Sequence, residues 1–190
     1  MRVAIIGAGM AGAACARALT DAGITVRLFD KGRSVGGRLA QRRVEQGVFD
    51  HGAQYFRVRD PAFMAAIEGW RAQGIVTSWP GAAGSDGGDV LVGVPAMSAP
   101  VKALLADLPG ATGSRITKFG HATGGWTLVG EDDRRDGPFA AVLLAVPAPQ
   151  AADLLATAEV SRLRRHPGPA CSHCAPPRRA DLQQAAAPAR

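Results

Sequence analysis

The apolar positions of this chain fall into short blocks whose spacing changes from one to the next. Residues 3–6 (Val-Ala-Ile-Ile) form an unbroken apolar run with β-branched side chains. Such a run predicts a parallel strand buried on both faces. Residues 13–22 are rich in alanine, with Arg17 and Leu19, and predict a helix that Gly23 stops. Residues 24–29 are a second apolar strand, ended by Asp30. Residues 39–49 read as extended, with Arg42, Arg43 and Glu45 on a solvated face and Val48-Phe49 returning to the core. Asp60-Pro61 offers an acid N-cap and a proline in the first turn. Phe63, Ile67 and Trp70 then recur at helical spacing as core positions, up to Gly74.

Two strand-like runs follow, 75–79 and 89–94, separated by a loop with glycines at 81, 84, 87 and 88. Pro95-Ala96-Met97-Ser98 turns into a helix over 101–108, with Leu104, Leu105 and Leu108 on one face and Pro109-Gly110 as its stop. Residues 114–119 and 125–129 read as strands of a meander, and 131–136 as its solvated, charged tip. Residues 139–146 form a buried strand, and 150–158 start another helix. Beyond that the periodicity collapses.

The first forty residues hold the chemistry. Gly7-Ala8-Gly9-Met10-Ala11-Gly12 fits G-x-G-x-x-G and sits between the first strand and the first helix. Gly7 permits the tight turn, Gly9 lets a pyrophosphate approach the backbone, and Gly12 lets helix and strand pack closely. The helix N-terminus presents unpaired N–H groups and partial positive charge to phosphates. Asp30 lies 18 residues after Gly12, where an acid meets a ribose hydroxyl. A charged hydrogen bond of that kind contributes roughly 1.5–3 kcal/mol. In a chain with 24 glycines the motif alone says little. Its strand–turn–helix–strand setting points to dinucleotide binding over a glycine-rich turn in an unrelated α/β protein.

The segment Asp30-Lys31-Gly32-Arg33-Ser34-Val35-Gly36-Gly37-Arg38 resembles the one after the second strand in FAD oxidoreductases of the amine oxidase, phytoene desaturase and renalase group. With Arg42-Arg43 and Phe49-Asp50-His51-Gly52-Ala53-Gln54-Tyr55-Phe56, it is similar to the bacterial renalase-like branch of that group. The resemblance covers about residues 1–158 and is most specific over 3–43 and 49–79. It implies an α/β fold: a Rossmann-like FAD-binding domain, a parallel sheet with a β-meander, carrying part of a second, substrate domain.

It also implies a non-covalent FAD site. Gly7, Ala8, Gly9, Ala11, Gly12 and Asp30 would cradle the ADP half. Lys31 and Arg33 belong to the basic stretch after the acid. Gly37 brings backbone close to the cofactor, and Arg38 neutralises pyrophosphate charge. Gly52, Ala53, Gln54 and Tyr55 would pass beside the isoalloxazine ring, with Gln54 donating to a ring carbonyl. Tyr55 and Phe56 remain open between a wall of the site and core packing. Asp50-His51 reads as a paired structural turn before His51 reads as a proton carrier. Ile116 falls where the family's backbone contacts adenine.

The implied function is hydride transfer to flavin from a small-molecule substrate, a reduced nicotinamide such as NAD(P)H or an amine, with oxygen as acceptor. No catalytic acid or base is assigned. Two further readings stand beside it: an inactive FAD- or NAD-binding remnant, and an NAD(P)-dependent dehydrogenase module. Gly36-Gly37-Arg38 argues against the last, and Asp30 would there favour NAD over NADP.

Composition changes the picture at the end of the chain. The 190 residues carry a formal charge of +6, which on its own suggests nucleic acid. Yet residues 161–190 hold six arginines and one acid, and the first 160 are nearly neutral. The basicity belongs to a tail, and a nucleic-acid role is not expected. No run reaches the roughly 18–20 apolar residues of a membrane span, and the chain opens straight into a strand; the expected location is the cytoplasm. Cys15 reads as a small buried hydrophobe. Cys171-Ser172-His173-Cys174 has C-x-x-C spacing, but neither a second ligand pair nor His166 completes a zinc pattern, so no metal is expected. The tail, 159–190, is rich in Pro, Arg and Ala and is predicted to be disordered. Members of the resembled family continue for a substrate domain at this point, so the expectation is a frameshift or truncated gene model after about residue 158.

Overall fold

The structure is a computed structural model that describes residues 1–83 and 89–158. The loop glycines 84, 87 and 88, and the whole tail with its cysteines and histidines, lie outside the described residues.

The first strand, β1 (Arg2–Ile6), is as buried as its composition demands, with Val3, Ala4, Ile5 and Ile6 all within the core. It pairs in parallel with β2 (Thr25–Phe29), Val3 opposite Val26 and Ile5 opposite Leu28. Between them runs α1 (Met10–Asp21). The helix starts three residues before the alanine-rich stretch suggests. Ala11 and Gly12 already belong to it, because Gly12 is demanded by packing and does not oppose helical backbone.

The chain then makes a one-turn 3-10 helix (Gly37–Leu39) and a hairpin of β3 (Gln41–Val44) and β4 (Gly47–Asp50). The extended reading of 39–49 thus becomes two strands about a turn at residues 45–46, and Gly47, which opens β4, takes a φ of 143° that suits glycine. Val48 and Phe49 do not return to the core. They are 48% and 55% exposed, one on each face of a lone two-stranded ribbon that no second layer covers there among the described residues.

Next come α2 (Pro61–Ala72), β5 (Val76–Ala83) and β6 (Asp89–Gly93). Asp60 caps α2 by accepting the Phe63 N–H at 3.0 Å, with Pro61 at the first position. Ile67, Val76 and Leu91 form a small core of their own, with Phe56, Phe63 and Trp70 packed on it. Strand β5 carries on through Ala83, so the glycine-rich loop begins later than the sequence suggests.

The last part holds α3 (Ala99–Leu104), the short β7 (Gly110–Ala111), and a meander of β8 (Ile116–Ala122), β9 (Gly125–Gly130) and β10 (Arg135–Phe139). β11 (Ala141–Leu144) and α4 (Ala148–Thr157) follow. Helix α3 ends four residues before the predicted 108, but Leu105 and Leu108 still pack on the α1 side of the sheet.

The central sheet is parallel, in the order β11-β1-β2-β7, and the meander is antiparallel, β10-β9-β8. Alternation along the central strands sorts side chains to two faces. Ile5, Val26 and Leu28 meet Ala16 of α1, while Ala4, Ile6 and Phe29 meet Ile116, Phe119, Leu128 and Phe139 of the meander. The expected single strand over 139–146 is in fact two. Phe139 closes β10, fully buried and edge-on to Phe29 at 6.1 Å. Ala140 then hands the chain to the central sheet, donating to the Arg2 carbonyl at 2.8 Å.

Two further expectations are corrected. Asp136 is no solvated tip: it bridges Arg2 at 3.1 Å and Arg27 at 2.7 Å, tying the meander to β1 and β2. Cys15 is half-buried on α1, packed beside the core without being part of it.

Candidate dinucleotide-binding site

Strand β1 leaves the sheet through Gly7, at φ 109°, which donates its N–H to the Phe29 carbonyl at 2.8 Å. A Cβ at Gly7 would lie 2.5 Å from the Ala145 carbonyl oxygen, and one at Gly12 would lie 1.9 Å from the Gly7 oxygen. Backbone fills both places, so these glycines serve the fold. Gly9 is different. A Cβ there would meet nothing nearer than the Gly37 Cα at 3.9 Å, and its φ of −80° suits any residue. The space beside Gly9 is therefore open for a ligand. Gly9 is also the N-cap of α1, with no side-chain cap and no acid in the first turn. The first N–H groups of the helix, with Ala11 among its exposed residues, stay available to an anion.

Asp30 stands at the end of β2 facing this turn. One carboxylate oxygen accepts the Ala8 N–H at 2.6 Å and the other accepts the Gly32 N–H at 2.7 Å. Each oxygen keeps a second lone-pair site for a hydroxyl. The Asp30 and Gly32 carbonyls accept from Ser114 and Gly113 at 2.8 and 2.7 Å, which pins the link into β8 beside the acid. Lys31 turns away, its Nζ on the Gln150 side chain of α4 at 3.1 Å, and Arg33 is exposed.

The second glycine cluster lies against the first. Gly36 donates to the Ala8 carbonyl at 2.9 Å and forms a parallel bridge with Gly9. Gly36 and Gly37 take φ of 128° and 55°, and a Cβ on Gly37 would press on the Gly9 Cα at 3.2 Å. Arg38 follows with its side chain exposed on the same short turn.

Gly52 and Ala53 are tied directly to Arg38. The Ala53 N–H donates to the Arg38 carbonyl at 2.9 Å, and a Cβ at Gly52 would lie 2.0 Å from that oxygen. Gln54 is exposed. Tyr55 is 46% exposed and rests on Trp79, with ring centroids 6.2 Å apart. Phe56 instead joins the α2 core and bridges to Leu91, so core packing holds for it. Asp50 is structural, but its partner is not His51: its carboxylate accepts the Met97 N–H.

Ile116 is buried where β8 begins, facing Phe29. It helps to line a cleft of about 790 Å³ with Phe29, Leu128, Arg27 and Ser114. That cleft lies on the meander side of β2, reached from Asp30 through the pinned 113–114 link, and it does not include the glycine turn.

Residues 5–68 match the family described as NAD(P)-binding Rossmann-like domains. The fold is Rossmann-like. Among solved structures the chain is similar to putrescine oxidase, from a structure-based redesign of its cofactor binding. The TM-score is 0.63 at 14% identity, covering 81% of this chain and 60% of that one. The likeness is one of fold, and this chain spans 60% of that structure's length. The matched family model implies a dinucleotide cofactor. The residues present fit one: an open Gly9, an uncapped helix start and a carboxylate at the second strand end. No helix among the described residues is long and apolar enough to cross a membrane.

Sequence reasoning missed the Met97–Ser98 turn as a support of the site. Its only advance signal is the short Pro95-Ala96-Met97-Ser98 stretch. Ala145, which backs Gly7, was hidden in what read as continuous strand.

Proposed function

We propose that the chain binds FAD non-covalently as the cofactor-binding part of a renalase-like oxidoreductase. The observation that carries this is the Gly36–Gly37 turn seated on Gly9. An NAD module needs one glycine turn at the pyrophosphate; here a second one lies against it and delivers Arg38. Gly9 and the first turn of α1 would receive the pyrophosphate, Asp30 the ribose, and the backbone near Ile116 the adenine. Gly52 to Tyr55, joined to Arg38, would carry the ring side. Bound flavin supplies a hydride acceptor, with molecular oxygen as the final oxidant. The protein's part is to orient and to set the field.

That field favours one substrate class. Residues 31–59 hold seven basic and two acidic side chains, in a body of 160 residues that is nearly neutral. A cationic amine is disfavoured there and a phosphate-bearing reduced nicotinamide is favoured. Anaerobic mixing of the FAD-loaded chain with NADH should bleach the visible flavin bands, and a diamine should not. Bleaching by the diamine alone would overturn the choice. A second reading, a dinucleotide-binding unit without turnover, draws on the exposure of residues 51–55, which no second layer covers among the described residues. Stoichiometric FAD uptake with no bleaching by either reductant would select it.

A further inference from the structure

We infer that Asp50 is a positioning residue that fixes the ring-side segment relative to the phosphate turn. This rests on the FAD reading above. Asp50 ends β4, immediately before the segment that joins Arg38. Its two carboxylate oxygens lie 3.2 and 3.3 Å from the Met97 N–H, sharing one donor. Met97 cannot yield. It is 1% exposed, and its sulfur accepts the Gly93 N–H at 3.3 Å.

The neighbouring Ser98 is equally buried, with its hydroxyl 3.4 Å from the Gln41 side-chain oxygen at the start of β3. A Cβ on Gly36 would come within 3.3 Å of the Ser98 Cβ, so the same turn backs the phosphate loop. Helix α3 follows this turn, and its Leu104 carbonyl accepts two bonds from Arg17 of α1, at 3.0 and 3.2 Å. The contacts therefore close a ring. α1 holds α3, whose entry turn holds Asp50 and backs Gly36. Asp50 in turn precedes Gly52 and Ala53, which hold Arg38 beside Gly9.

In this ring Asp50 acts through the Met97 N–H. It sets where Gly52 to Tyr55 stand once the pyrophosphate is seated. The glycine turn and Asp30 keep their own hydrogen bonds without it. The consequence is selective: losing Asp50 weakens a ligand that spans both halves and spares one that fills the ADP half.

The test compares FAD and ADP affinities of the full chain by calorimetry. Asp50→Ala should lower FAD affinity by about tenfold or more, in line with one lost charged hydrogen bond. Its ADP affinity should stay within about twofold of the parent, a change of under ~0.5 kcal/mol. Asp50→Asn should keep most of the FAD affinity, within about threefold of the parent, because the amide oxygen still accepts from Met97 through a neutral bond. Should the alanine variant fail to fold, Asp50→Ser gives the same contrast, its hydroxyl being one bond short of Met97. Equal losses for ADP and FAD, an unchanged FAD affinity, or an asparagine variant as weak as alanine would each overturn the inference. A parent chain that binds FAD no tighter than ADP would overturn the cofactor reading first, and this inference with it.

Discussion

The glycines of one motif do different things, and substitution separates Gly9 from Gly12. Gly9→Ala adds a methyl group into open space, so thermal stability should hold while dinucleotide affinity falls by about tenfold or more, ~1.4 kcal/mol. Gly12→Ala drives a methyl group into the Gly7 carbonyl and should destabilise the fold itself by about 1–3 kcal/mol or more. Paired melting curves and FAD titrations check both; a destabilised Gly9→Ala would show that the space beside Gly9 is structural. Arg38→Ala removes an exposed cation beside the glycine turns. It should cost FAD roughly 1.5–3 kcal/mol where the pyrophosphate desolvates it, with a shallower salt dependence of binding. An affinity unchanged across ionic strength would remove Arg38 from the site. The packing roles of Gly7 and Gly12 were legible because each follows from a turn between a buried strand and a helix. The Asp50–Met97 bond was not, since nothing in sequence spacing joins the end of a ribbon to a turn 47 residues on.

At the scale of elements, alternation in β1 and β2 was readable from apolar runs, and the two-faced core follows from it. The meander's attachment was less so. Asp136 sits among charged neighbours that do stay in water, and only the third dimension brings Arg2 and Arg27 to it. The strand break at Ala140 was hidden because both halves are apolar. Phe139 is the key of that joint, and Phe139→Ala should cost about 3–5 kcal/mol in urea unfolding; a loss under ~1 kcal/mol would contradict its place in the core.

Helix α1 is clasped by Arg17 to Asp107, in the turn that follows α3. The hydrogen bond from Arg17 holds the Asp107 carboxyl below its usual range, and Asp107 raises Arg17 in return. The sign follows: a carboxylate depressed on folding stabilises above its unfolded value and loses that contribution as pH falls through the folded one. The clasp should thus fade only below about pH 4, the ordinary carboxylate range. It is solvent-screened, so the effect is small. Asp107→Asn should flatten this limb of the stability–pH curve, and an unaltered limb would assign it elsewhere.

For the whole molecule, the charge distribution says more than the total. The described body is a parallel sheet between α1 and a meander, with a stretch of sequence over 31–59, which includes the second glycine turn, that is rich in basic residues. Its exposed apolar side chains, Phe49, Val48 and Leu143 among them, lie where a ribbon or a sheet edge lacks a neighbour among the described residues. These exposures were illegible in the sequence, because an apolar residue in a strand reads as core whether or not a second layer exists to cover it. The arrangement brings the open Gly9, the uncapped start of α1 and the Asp30 carboxylate together at the carboxyl ends of β1 and β2.

The decisive measurement is the absorption spectrum of the purified, desalted chain, followed by titration with FAD and with NAD. Flavin bands approaching one FAD per chain, on purification or after addition, with weak NAD binding, are the predicted result. A chain that stays colourless with excess FAD yet binds NAD tightly would contradict the flavin assignment and leave a nicotinamide-binding module in its place.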